Sequence, residues 1–145
     1  MMECLGCKLA NEEEKIYRVY EDEYVTCFLD HAPFYPGHVQ KQHVVEVDEL
    51  DDVVAKSIMD ASKLIAKAIK ALYKPDGVTV CQNSGVFNEL THYHITICMS
   101  YQDIKSARLL NFIRYNREKS RIIILKRLSA YLKGAIEQIL LNEKV

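Results

Sequence analysis

No charge of either sign dominates this sequence. Its 19 basic and 20 acidic side chains leave a formal net charge of −1. Without a field of one sign, bulk electrostatics nominate neither a nucleic acid nor an anionic membrane as a partner. Long hydrophobic runs are missing too: none approaches the roughly 20 apolar residues needed to span a bilayer. The N-terminus reads Met1-Met2-Glu3-Cys4, with no basic flank leading into an apolar stretch, so no signal peptide is expected and the cytoplasm is the expected compartment. Internal repeats, low-complexity tracts and linkers are likewise absent. Cysteine is present but odd in number, at five. Without a secretion signal, that count points to thiols or metal ligands rather than a disulfide framework.

What is present suits one globular domain over residues 1–145. Apolar residues make up 49% of the chain and charged ones 27%, enough for a core that needs no disulfides. Residues 1–15 read as a loop with an acidic, solvated turn from Asn11 to Glu14. Ile16 to Tyr20 and Tyr24 to Leu29 are rich in β-formers and predict a hairpin. Asp30 to Gly37 holds two of the three prolines and predicts a loop. Val44 to Val47 is short and apolar. Asp48 is the expected N-cap of a long helix, because apolar residues from Leu50 to Leu72 recur at helical spacing on one stripe. Pro75-Asp76-Gly77 ends it. Val78 to Cys81 and Leu90 to Met99 predict strands, with a turn at Asn83-Ser84-Gly85. Lys126 to Leu141 predicts a C-terminal helix, and Arg121 to Leu125 reads as either strand or helix. Antiparallel strands with segregated helices make an α+β class.

Three constellations carry chemistry. In Thr91-His92-Tyr93-His94-Ile95-Thr96-Ile97, strand alternation puts His92, His94 and Thr96 on one face and Tyr93, Ile95 and Ile97 on the other. Paired imidazoles on a polar face suit a metal site or a nucleophile; two merely exposed histidines fit the pattern as well. Cys4-Leu5-Gly6-Cys7 offers two soft ligands for Zn²⁺, which takes about four in a structural site. His43 and one of His92 or His94 can complete the set, and a redox dithiol is the rival reading. Cys81-Gln82-Asn83-Ser84-Gly85 runs a strand into a polar turn whose amides can hold a phosphate. Cys27, Cys81 and Cys98 occupy apolar strand contexts and read as small buried residues.

Taken in order, Cys4 and Cys7, Phe28-Leu29-Asp30, Pro36-Gly37-His38, Lys41-Gln42-His43, Asn83 and the histidines 92 and 94 resemble the pattern of histidine-triad (HIT) proteins. The segment Phe87-Asn88-Glu89-Leu90-Thr91-His92-Tyr93-His94 is similar to a bacterial branch of that family, and the likeness covers roughly residues 1–101. The resemblance implies a mainly antiparallel sheet with one long helix, paired as a homodimer. It implies binding of a purine nucleotide and cleavage at the α-phosphorus of a nucleoside phosphoramidate or dinucleoside polyphosphate. His94 would be the nucleophile, forming a nucleotidyl-histidine that water resolves. An imidazole suits this role because much of it is neutral near pH 7. Asp30 would accept from the ribose hydroxyls, Phe28 and Leu29 would lie near the base, and Asn83 would contact phosphate. Zinc-containing relatives imply a structural zinc on Cys4, Cys7, His43 and His92.

Four features depart from the family. Thr96 stands where a third histidine is usual; it can hydrogen-bond an oxygen but cannot act as an acid at neutral pH. The segment from His38 to His43 is short by about three residues, an odd number that would swap faces along a continuous strand. Glu89 stands near the phosphate position, and Cys98-Met99-Ser100 replaces a frequent Pro-Arg. Two other functions therefore stand beside the enzyme: a nucleotide-binding module with weakened chemistry, and a zinc-stabilised interaction protein.

Overall fold

A computed structural model describes residues 4–29, 36–102 and 118–144 of the chain. Asp30 and most of its loop lie outside the described residues. Strands β1 (Tyr17–Glu21) and β2 (Val25–Leu29) form the predicted hairpin. Asp22 shapes its turn: Oδ1 accepts from the backbone N–H groups of Tyr24 and Val25 at 2.8 and 2.9 Å. Strand β3 (Pro36–Gln40) pairs with β2 on one side and β5 (His94–Ser100) on the other, and β4 (Gly77–Cys81) closes the far edge. The order is β1-β2-β3-β5-β4, with every pairing antiparallel.

Helix α1 (Leu5–Ala10) occupies part of the segment predicted as loop. Leu5, Lys8, Leu9 and Ala10 are good helix formers, and the acidic turn behind them concealed that. The long helix α2 (Asp52–Tyr73) carries the expected stripe, burying Val54, Ile58, Ala61, Leu64, Ile65, Ala68 and Ile69. Its N-cap is Asp51 rather than Asp48. Glu46 and Glu49 form a capping box around a short 3₁₀ turn at Val47–Glu49, and Leu50 then returns to extended backbone. The helix therefore restarts at Asp51, whose carboxylate accepts from Val53 N at 2.9 Å. We expect Asp51→Ala to cost about 1 kcal/mol, read as a lower denaturant midpoint with an unchanged slope. Helix α3 spans Glu118–Glu143, which settles the Arg121 to Leu125 stretch as helix.

Helices α2 and α3 pack on one face of the sheet, and α3 also packs on α2. The core lies there: Ile95, Ile97 and Met99 of β5 meet Val25, Cys27 and Leu29 of β2 and Leu125, Leu132 and Ile136 of α3. On the opposite face Phe28 packs with Ala10, Leu9, Ile16 and Leu90, and Thr26 Oγ1 donates to the Ala10 carbonyl at 2.9 Å. The class is α+β, as expected.

The histidine strand starts later than the sequence predicts, at His94 rather than Leu90. Thr91 adopts a left-handed conformation (φ 49°), and the Tyr93 N–H leaves the ladder to donate to the Val44 carbonyl at 2.6 Å. His92 and Tyr93 are consequently both buried, and the alternation holds only from His94 onward.

Candidate functional site

The first cluster is assembled by α1 and two loops. Cys4 caps α1 and Cys7 lies in its first turn, so one helical turn turns both sulfurs the same way. Cys4 Sγ lies 3.5 Å and Cys7 Sγ 3.7 Å from His92 Nδ1, and Cys7 Sγ lies 3.4 Å from His43 Nδ1. The imidazoles of His43 and His92 meet edge to face at 5.4 Å between centroids. All four donor atoms fall within 4.8 Å of one another. Gly6 permits the approach, since a Cβ there would stand 2.3 Å from Cβ and Cγ of His92. Burial raises the pKa of the Cys7 thiol, and the hydrogen bond and charge of Cys4 and the charge of Glu13 push it further. Two thiolates side by side oppose each other, and a divalent cation between them removes that penalty.

His43 follows β3 in irregular backbone, which resolves the shortened segment. The strand stops at Gln40, so residues beyond it are freed from strand alternation and no change of face is imposed.

The second cluster lies on the sheet face that α2 and α3 leave uncovered. His94, Thr96 and Cys98 alternate there as half-buried residues against buried Ile95, Ile97 and Met99. His92, buried off the strand, does not share that face. It serves His94 through its backbone: His94 Nδ1 lies 2.9 Å from the His92 carbonyl. A carbonyl only accepts, so the proton of neutral His94 sits on Nδ1 and Nε2 keeps a lone pair. The pairing puts Phe28, Gly37, Thr96 and Cys81 in one cross-strand row. Leu29 points to the other face, into the main core. Asn83 is exposed just beyond the end of β4, and Glu89 is exposed as well.

Sequence reasoning missed Asn88, Glu46 and Gly6. Asn88 is buried; its Nδ2 donates to the carbonyls of His92 at 3.3 Å and Val45 at 3.4 Å. Glu46 Oε1 accepts from Gly85 N at 3.0 Å. Together they fasten the loop before His94 to the loop carrying His43. Asn88 sits inside the family-like segment, but nothing in its neighbours marks a buried asparagine. Two cysteine expectations also change. Cys27 is buried as predicted, whereas Cys81 is exposed and Cys98 half-buried. They lie on the face that α2 and α3 leave uncovered, Cys81 at the end of an edge strand, so no helix among the described residues covers them.

Comparison with known proteins follows the same residues. A family model described as the HIT domain matches residues 11–102. Protein hit of Bacillus subtilis is 34% identical over 103 residues, covering 68% of this chain and 71% of that protein. Adenylylsulfatase HINT3 of Arabidopsis thaliana is 28% identical over 102 residues, covering 64% of this chain and 51% of that protein. A Zn-bound histidine triad family protein from Mycobacterium smegmatis superposes with a TM-score of 0.74 at 21% identity, over 95% of this chain and 96% of that one.

Proposed function

The chain belongs to the HIT family, and from that premise we propose that it is a nucleotide hydrolase or transferase acting at an α-phosphorus through His94. The observation that carries the reading is the 2.9 Å contact between His94 Nδ1 and the His92 carbonyl. It fixes the ring with its Nδ1 proton on that carbonyl, which leaves Nε2 as the atom to act as nucleophile. Nε2 attacks the phosphorus, the bond to the leaving group breaks, and water then attacks the nucleotidyl-histidine to release the nucleotide. Asp30 would hold the ribose hydroxyls. Phe28 lines the same face and would lie beside a purine base, with Leu29 behind it, and Asn83 would contact phosphate.

Thr96 narrows the substrate class. Its hydroxyl donates a hydrogen bond to a leaving oxygen but supplies no proton at neutral pH. Leaving groups stable as anions, such as polyphosphate, therefore suit this site better than the amine of a phosphoramidate. The name of the Arabidopsis relative, an adenylylsulfatase, points the same way, since sulfate departs as a stable anion.

Cys4, Cys7, His43 and His92 suit a structural Zn²⁺ in charge, softness and number. When bound, the metal would join α1 to the loop that presents the His92 carbonyl; its role is to hold structure. We expect one zinc per chain by elemental analysis. Its removal by a chelator should lower the melting temperature by on the order of 10 °C. The protein is further proposed to be a single domain over residues 1–145 and a homodimer. No helix among the described residues is long and apolar enough to cross a membrane.

The test is nucleoside monophosphate release from a dinucleoside polyphosphate, adenylyl sulfate and adenosine phosphoramidate, followed by chromatography, with binding measured separately by calorimetry. Release from the two anhydrides ahead of the phosphoramidate is the expected order. Binding without release at high enzyme concentration would instead favour the weakened binding module, the reading that Thr96 supports.

A further inference from the structure

The peptide unit between His92 and Tyr93 is held at both ends, and by different means. Such a unit is planar, with its C=O and N–H pointing opposite ways. The N–H, on Tyr93, donates to the Val44 carbonyl at 2.6 Å. The oxygen, on His92, has two lone pairs to offer. His94 Nδ1 lies 2.9 Å from it, and Asn88 Nδ2 donates to it at 3.3 Å. The main chain thus fixes one side of the unit, and the side chains of His94 and Asn88 take up the other. The same Asn88 amide reaches the Val45 carbonyl at 3.4 Å, next to the residue that holds Tyr93.

Asn88 is buried, yet its Oδ1 meets no hydrogen-bond donor among the described residues. A buried acceptor without a donor is costly, so a residue that merely filled this space would do better as an apolar one. Turning the amide over brings no relief, since Oδ1 would then face two carbonyl oxygens, which cannot donate. What the asparagine supplies is N–H groups for two carbonyls. Thr91 adds to the need for them. Its left-handed backbone (φ 49°) is a conformation that persists only where the surroundings hold it.

We propose that Asn88 is a positioning residue for His94. It acts through the His92 carbonyl, gripping the His92–Tyr93 peptide so that its oxygen keeps facing Nδ1. With the oxygen in place, the ring proton stays on Nδ1 and Nε2 keeps its lone pair. With the oxygen turned away, the half-buried ring is free to exchange tautomers, and Nε2 carries the proton part of the time. The effect on turnover rests on the nucleotide reading above; the effect on the ring does not.

The test uses the full, zinc-loaded chain with isotope-labelled histidine at about pH 8.5, where a free imidazole is neutral. Nitrogen NMR shows which ring nitrogen carries the proton, and the spectrum of His94→Ala assigns the His94 signals. The unmodified protein should show His94 as the Nδ1–H tautomer. In Asn88→Ala the Nε2–H tautomer should appear, and kcat should fall by about 10–100-fold with little change in KM. Asn88→Leu fills the same space without a donor and should give the same result, so the outcome does not hang on how the smaller side chain folds. A side chain that only stapled the two loops together would lower the melting temperature and zinc affinity and leave the tautomer alone; zinc content and melting are therefore measured on the same samples. The proposal is overturned if His94 keeps the Nδ1–H tautomer in the folded variants, or if the unmodified protein already carries the proton on Nε2. A changed tautomer with unchanged nucleotide release would uphold the positioning and count against the nucleotide reading instead.

Discussion

His94→Ala will lower nucleotide release by at least about a thousandfold in kcat, the scale on which loss of a covalent nucleophile acts, while zinc content and melting temperature stay close to those of the unmodified protein. The asymmetry comes from how little else His94 does. It is half-buried on the uncovered face, and its recorded hydrogen bond runs to the His92 carbonyl, which Asn88 also engages. Removing the ring takes away one donor to a carbonyl that keeps another, so the fold loses little. On the proposed mechanism the reaction loses the atom that would attack phosphorus. Release within tenfold of the unmodified enzyme would assign the chemistry to another residue, and the His94 reading would fall. A fall in zinc content together with activity would mean that the variant had damaged the metal cluster, so both are measured on one preparation.

Much of the fold was legible because its signals are periodic. The α2 stripe is visible in the spacing of Val54, Ile58, Ala61, Ile65 and Ile69, and the hairpin in its two β-rich runs around Glu21 to Glu23. The four metal-binding candidates could be grouped from donor chemistry and family likeness, and the structure brings Cys4, Cys7, His43 and His92 together. What escaped was set by single backbone events or by tertiary cover. Thr91 adopts φ 49°, a conformation that threonine seldom takes; it ends the alternation and turns His92 away from His94. The shift of the α2 cap from Asp48 to Asp51 depends on Leu50 returning to extended backbone, and either aspartate would have capped well. Cys81 and Cys98 have the neighbours of core residues, but only packing decides which side of a sheet the helices cover. Asn88 donates to the Val45 carbonyl 43 residues away and, across the left-handed turn at Thr91, to that of His92; the first separation is too long, and the turn too unusual, for the local sequence to signal either bond.

Gly6→Ala will reduce zinc affinity by about 10–100-fold, the range for changes that disturb a ligand's support, and will lower the melting temperature. Helix propensity alone predicts the opposite. Alanine inside a helix is favoured over glycine by about 1 kcal/mol, and no left-handed φ requires a glycine at this position. The deciding contact is with His92: the new methyl would lie 2.3 Å from its Cβ and Cγ and 2.9 Å from its Nδ1. The two nearest atoms sit next to the backbone and cannot swing clear by rotation of χ2. Either α1 moves off the loop or His92 moves away from Cys4 and Cys7, and both outcomes separate the donors. Overpacking of this kind costs about 1–3 kcal/mol, which outweighs the gain in propensity. Gly134 supplies the control. It lies in α3 with nothing within 4 Å of its added Cβ, so Gly134→Ala keeps only the propensity term and should stabilise by about 0.5–1 kcal/mol. Opposite signs for the two substitutions, with zinc affinity moved only by the first, would tie the Gly6 effect to the approach of α1 to His92. A stabilising Gly6→Ala with unchanged zinc affinity would mean that α1 does not seat against His92 as the structure has it, and the four-donor cluster would lose its geometric basis.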